Sequence, residues 1–108
     1  MRIVFTEAAK TDIREVLRYT RARFGALQVP LYRALISSAR VRLRQTPSLG
    51  HHREGLPPEA RLFHISQPGK PASHLFLYRV NAPERTIEVL RFLHESMDIP
   101  KQWQGKAR

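Results

Sequence analysis

The sequence contains no cysteine, only nine acidic side chains against nineteen Lys and Arg, and five glycines. Without cysteine there can be no disulfide and no thiolate metal site, which fits a reducing compartment, and a cytoplasmic location is expected. No apolar run approaches the roughly 20 residues needed to span a bilayer, so no membrane partner is expected. The start, Met1-Arg2-Ile3-Val4-Phe5, turns polar at Thr6 and lacks the apolar stretch of roughly 7–15 residues of a secretory signal. The glycines are scattered among turns rather than gathered in a phosphate-cradling loop, so nucleotide hydrolysis has no support. Five histidines are present, but the adjacent pair His51-His52 is badly spaced for one ion and no helical H-x-x-x-H pair exists. Neither a metal nor a cofactor is called for.

The deficit of acids leaves a formal charge of +10 and a pI near 11.3. Such a surface seeks an anion, whether nucleic acid, an acidic protein or a ribonucleoprotein surface, and composition alone does not choose among them. Arginine far outnumbers lysine, which favours planar two-pronged contacts with carboxylate or phosphate. With 108 residues the chain can build one modest core. A single domain over 1–100 and a basic tail over 101–108 are expected.

Arg2 to Phe5 reads as a strand, and Thr6 followed by Glu7 offers a helix N-cap with an acid in the first turn. Ala9, Ile13, Val16, Leu17, Thr20 and Phe24 then recur at helical spacing up to the natural stop Gly25. A second helical stripe runs through Tyr32, Leu35, Ile36, Ala39 and Leu43, with Arg33, Arg40, Arg42 and Arg44 mainly facing water and Pro30 marking a start or kink. From Ala60 the period changes to two, giving a strand near residues 60–65 and another over His74 to Val80, joined by a long loop from Ser66 to Ser73. A short turn, Asn81 to Glu84, leads into a third strand. There alternation places Ile87, Val89 and Leu93 on one face and Thr86, Glu88, Leu90 and Phe92 on the other. After it, Asp98 and Pro100 suggest the cap and first turn of a short helix. The order β-α-α-β-β-β predicts an α+β fold, with an N-terminal strand and an antiparallel helix hairpin packed on a twisted antiparallel sheet.

Arg61, Arg79, Arg91 and His94 are the chemically interesting strand residues, because they interrupt or end apolar patterns. Converging on one face, the arginines could hold a phosphate while His94 transfers a proton near neutral pH. The plainer reading makes the arginines ion-pair residues and His94 a strand cap. Phe63, Phe76, Tyr78 and Phe92 could stack bases, but a chain with 8% aromatics needs those rings to fill its core.

The stretch Leu90-Arg91-Phe92-Leu93-His94-Glu95-Ser96-Met97-Asp98 resembles the C-terminal signature of ParE-type toxins in the ParE/RelE superfamily. The likeness takes in Ala8-Ala9, Asp12-Ile13, Tyr19, Phe24-Gly25 and Tyr32. It continues through Leu43, Pro47, Gly50, Arg61 and Leu77-Tyr78-Arg79-Val80. It implies the toxin half of a type II toxin–antitoxin pair, with an antitoxin whose acidic C-terminal segment wraps the basic toxin. ParE-like relatives are associated with poisoning DNA gyrase without bond chemistry, and this non-enzymatic inhibition is the expected mode. RelE-like relatives instead cleave messenger RNA on the ribosome, which would make Arg61, Arg79 and His94 catalytic. Under either implication Arg61, Arg79, Arg91 and His94 are candidates for contact with target or antitoxin. A third expectation, from charge alone, is a basic module that binds nucleic acid or an acidic protein and poisons nothing.

Overall fold

A computed structural model describes residues 1–103. Its elements run β1 (Arg2–Phe5), α1 (Glu7–Phe24), α2 (Gln28–Gln45), a 3-10 turn (Pro47–Leu49), β2 (Ala60–His64), β3 (His74–Asn81), β4 (Thr86–His94) and α3 (Ile99–Trp103). The predicted α+β order is present, and α3 forms where Asp98 offers its cap, the carboxylate accepting from the Lys101 N–H at 3.4 Å. Of the expected basic tail, residues 101–103 complete α3, and residues 104–108, with Lys106 and Arg108, lie outside the described residues.

The strands form one sheet in the order β1-β4-β3-β2. β2, β3 and β4 make an antiparallel meander, whereas β1 joins β4 in parallel with Ile3 opposite Ile87. The sheet is therefore mixed at one edge. The cause is topological: β1 and β2 lie on opposite edges, the helix hairpin carries the chain between them, and the third strand of the meander returns in the direction of β1.

Thr6 sets the entry angle of α1. Its hydroxyl accepts from the Ala9 N–H at 3.1 Å and donates to the Leu90 carbonyl at 2.8 Å, so one side chain caps the helix and fastens it to β4. Gly25, with φ +93°, closes the helix in a conformation that costs a Cβ-bearing residue. α1 buries Ala9, Leu17 and Thr20, and α2 buries Leu35, Ala39 and Leu43. Pro30 sits in the first turn of α2, where its missing N–H leaves no helical bond unmade. Two expectations for the helices fail. Phe24, in the last turn of α1, is 63% exposed, and its ring meets the similarly exposed Tyr19 edge-on at 6.4 Å. Arg42 is half-buried rather than solvated: its guanidinium lies 4.9 Å from the Phe63 ring centre, with Nε and Nη2 sequestered.

The alternation predicted for β4 also breaks. Leu77 faces Arg91 and Tyr78 faces Val89, so Leu90 has no register partner and forms a bulge. One extra residue inverts the faces beyond it. Phe92 therefore joins Ile87 and Val89 beneath the helices, with Ile3, Ile65, Phe76 and Tyr78, while Leu93 turns to the opposite face. There Leu93 packs with Ala60, Leu62, Leu75 and Leu77 under Ile99 of α3, helped by Leu56 and Trp103. Burying each such aliphatic side chain contributes about 1.5–3 kcal/mol, so α3 is held by packing rather than by its own short length.

Candidate functional site

The four predicted site residues do not meet. Arg61 stands opposite Tyr78, and its guanidinium donates to the Gly50 carbonyl at 2.8 Å, pinning the segment that follows α2. Arg79 stands opposite Glu88 and binds its carboxylate at 2.6 Å. Arg91 makes a two-pronged contact with Asp12 of α1, at 2.7 and 2.9 Å, and reaches Gln102 of α3 at 3.3 Å. That carboxylate also accepts the Phe92 N–H at 2.9 Å, on the part of β4 that extends past its register with β1. The hydrogen bond to Asp12 holds the Arg91 guanidinium even more firmly protonated than usual; burial opposes it, and the charges of Asp12 and Glu15 act with it. His94 lies opposite His74, four β3 positions from Tyr78 and hence from Arg61, or roughly 13 Å along the strand. The arginines act as cross-strand and strand-to-helix ties.

His94 instead belongs to a cluster that the sequence did not reveal. Its ring meets His74 edge-on at 5.1 Å, His74 stacks on Phe92 at 5.1 Å, and Nδ1 of His74 shares a short hydrogen bond with the Tyr32 hydroxyl. Burial, and then the charge of His94, push the His74 imidazole down to about 4, so it is neutral at physiological pH. Burial pushes the Tyr32 phenol up to about 12, with the negative charge of Glu95 acting in the same direction. Nδ1 of His94 accepts the Ser96 N–H at 3.0 Å and lies 2.8 Å from its hydroxyl, a local closure of the turn after β4. When His94 is neutral, this geometry puts its remaining proton on Nε2. A neutral, hydrogen-bonded His74 beside a neutral phenol offers no anionic base and no phosphate clamp.

Tyr32, His74 and His94 form the floor of a groove of about 700 Å³ between the ends of the helix hairpin and the loop Lys70–Ser73. Its helical wall carries Tyr19, Phe24 and Leu31, which are 61%, 63% and 60% exposed. Large apolar side chains this open to water suit the apolar face of a peptide better than a small polar substrate. The helical stripes had assigned Phe24 to the core and did not include Leu31. The period-two reading placed His74 on a strand without its partner, because the His74–His94 register depends on the bulge.

His51 and His64 stack at 5.8 Å, and His51 pairs with Leu62 through the backbone, which gives that histidine a structural place. Burial, and then the neighbouring charges of His64, Arg53 and His52, lower the His51 pKa. Among the described residues no three His, Asp or Glu side chains are placed to hold a metal ion, and no helix is long and apolar enough to cross a membrane.

A family model described as ParE toxin of type II toxin–antitoxin system, parDE, matches residues 3–99. Among solved structures, the chain is similar to a protein of the chromosomal ParDE toxin–antitoxin system from P. aeruginosa, with 18% identity and a TM-score of 0.70 over 87% of this chain and 95% of that one. It is also similar to a protein of the RelBE2 toxin–antitoxin complex from Mycobacterium tuberculosis, with 20% identity and a TM-score of 0.56 over 86% and 95% of the two chains. At these identities the likeness is one of fold. No curated protein matches the sequence significantly.

Proposed function

The chain belongs to the ParE toxin family of type II toxin–antitoxin systems, and from that membership we propose that it arrests growth in the cytoplasm by binding and poisoning DNA gyrase. A cognate antitoxin with an acidic C-terminal segment neutralises it. The observation that carries the choice of target is the dispersal of Arg61, Arg79 and His94. Phosphoryl-transfer chemistry needs cationic groups and a proton donor around one phosphate. Here Arg61 is bound to a backbone carbonyl, Arg79 to Glu88, and His94 to its own turn. An inhibitor that acts by binding has no need of such convergence.

The antitoxin is assigned to the groove between the helix ends and the loop Lys70–Ser73, where exposed Tyr19, Phe24 and Leu31 supply apolar contact and the +10 charge attracts its acidic segment. Purified toxin added to gyrase is expected to abolish supercoiling and accumulate cleaved DNA. Unchanged supercoiling without cleaved DNA, at toxin excess, would overturn the reading. Replacing His94 by Gln provides the complementary check. Retained toxicity supports inhibition by binding, while loss of toxicity with the fold intact transfers the argument to ribosome-dependent RNA cleavage.

A further inference from the structure

Wherever arginine serves the fold of the sheet, a partner has been provided: Asp12 for Arg91, Glu88 for Arg79, the Gly50 carbonyl for Arg61. A different group has none. Arg2 on β1, Arg40 and Arg44 one turn apart on α2, and Arg85 in the β3–β4 turn line one cleft of about 460 Å³, together with Met1 and Ile3. All four arginines are exposed, and among the described residues no acid lines the cleft. Among the described residues none of these guanidinium groups enters an ion pair or a side-chain hydrogen bond. Like charges gathered around a concavity repel one another, and their mutual field focuses attraction on an anion that enters it.

The backbone reinforces the arrangement. Arg85 has φ +52°, a left-handed conformation that glycine or asparagine adopts at lower cost. Its carbonyl accepts the Arg2 N–H at 3.1 Å, which fixes the turn against β1 and sets two of the arginines side by side. The Arg40–Arg44 spacing places the other pair on one helix face.

We propose that this arginine cleft binds the phosphate backbone of double-stranded DNA directly. Guanidinium groups suit phosphate through two-pronged hydrogen bonding, and a duplex backbone needs no apolar pocket. The cleft's apolar anchorage is confined to Met1, which is 38% exposed, since Ile3 is only 8% exposed, whereas the exposed aromatic residues that a peptide would use lie in the other groove. These contacts carry no base specificity. The inference is independent of the gyrase reading, because binding is measured with DNA alone.

The test is fluorescence anisotropy of a short labelled duplex with the full chain, from about 50 to about 200 mM salt. Arg40→Gln/Arg44→Gln is compared with Arg18→Gln/Arg21→Gln, which removes the same charge from exposed positions on α1. In the cleft variant the slope of log affinity against log salt is expected to fall by about 2, with at least about tenfold weaker binding at low salt. The α1 variant is expected to keep the wild-type slope. Equal losses in both variants would reduce the effect to net charge and overturn the proposal, as would absence of binding by the wild type. A poly-glutamate peptide that binds more tightly than the duplex, and loses that affinity only in the cleft variant, would overturn it in favour of an acidic protein ligand. Thermal denaturation of each variant confirms that its fold is retained.

Discussion

At the scale of single residues, the strongest constraints are buried polar groups with several partners. The Tyr78 hydroxyl donates to the Pro47 carbonyl at 2.7 Å and accepts the Gly50 N–H at 2.8 Å, closing the chain end of α2 onto β3. Tyr78→Phe leaves both backbone groups unpaired and is expected to cost about 1–3 kcal/mol in urea denaturation. Gly50→Ala should be at least as damaging, because a Cβ there would come within 2.5 Å of the Tyr78 hydroxyl and 2.9 Å of the Leu62 carbonyl, and backbone cannot step aside. His74 yields a prediction about pH. Its imidazole binds a proton less readily in the folded chain, at about 4, than in the unfolded chain, at about 6.5. The stability it contributes is therefore complete above pH about 6.5 and is lost as the pH falls toward about 4. After allowance for its partial exposure, the loss is about 1–2 kcal/mol. His51 is shifted in the same direction and adds to the trend. The measurement is the difference between wild type and His74→Gln across that window; identical pH profiles would remove His74 as the cause.

At the scale of elements, the junction between β1 and α1 depends on Thr6. Thr6→Ala removes the helix cap and orphans the Leu90 carbonyl, so a loss of about 1–2 kcal/mol is expected, most of it restored by Thr6→Ser. Equal stability of all three proteins would show that the cap does not fasten the helix. The helix hairpin was legible because Thr6, Gly25 and two apolar stripes are local signals. β4 was legible as a strand but not in its phase. Val89, Leu90, Phe92 and Leu93 are all apolar and all buried, so a bulge among them leaves no mark in the alternation. The pairing of β1 with β4 was hidden for another reason, since it joins residues more than eighty positions apart. The same distance obscured the candidate site. Arg91 could be singled out on its strand, but its partner Asp12 lies 79 residues away, and the fold turns an expected anion-binding residue into a tie between sheet and helix. His74, Tyr32 and His94 come from three elements and meet only after the bulge has set their register.

At the scale of the whole molecule, the apolar exposure gathered in one groove makes the antitoxin assignment testable. The groove flanked by Tyr19, Phe24 and Leu31 leaves large apolar side chains in water, which the isolated toxin gains nothing from. Tyr19→Glu/Leu31→Glu places two carboxylates there. Both positions are exposed and helical, and glutamate is a good helix former, so the melting temperature of the toxin alone should change little. An acidic segment approaching the same groove would meet lost apolar contact and like charge together, and both effects weaken binding. A partner that binds only the folded toxin raises its apparent stability in proportion to the logarithm of its concentration over Kd. Antitoxin is therefore expected to raise the melting temperature of the wild type and to leave that of the variant nearly unchanged. In cells, the variant should remain toxic while coexpressed antitoxin no longer rescues growth. Because toxicity itself is retained, such a result separates the neutralising surface from the surface that reaches the target. Undiminished rescue, with the same stabilisation by antitoxin as in the wild type, would place the antitoxin elsewhere on the toxin.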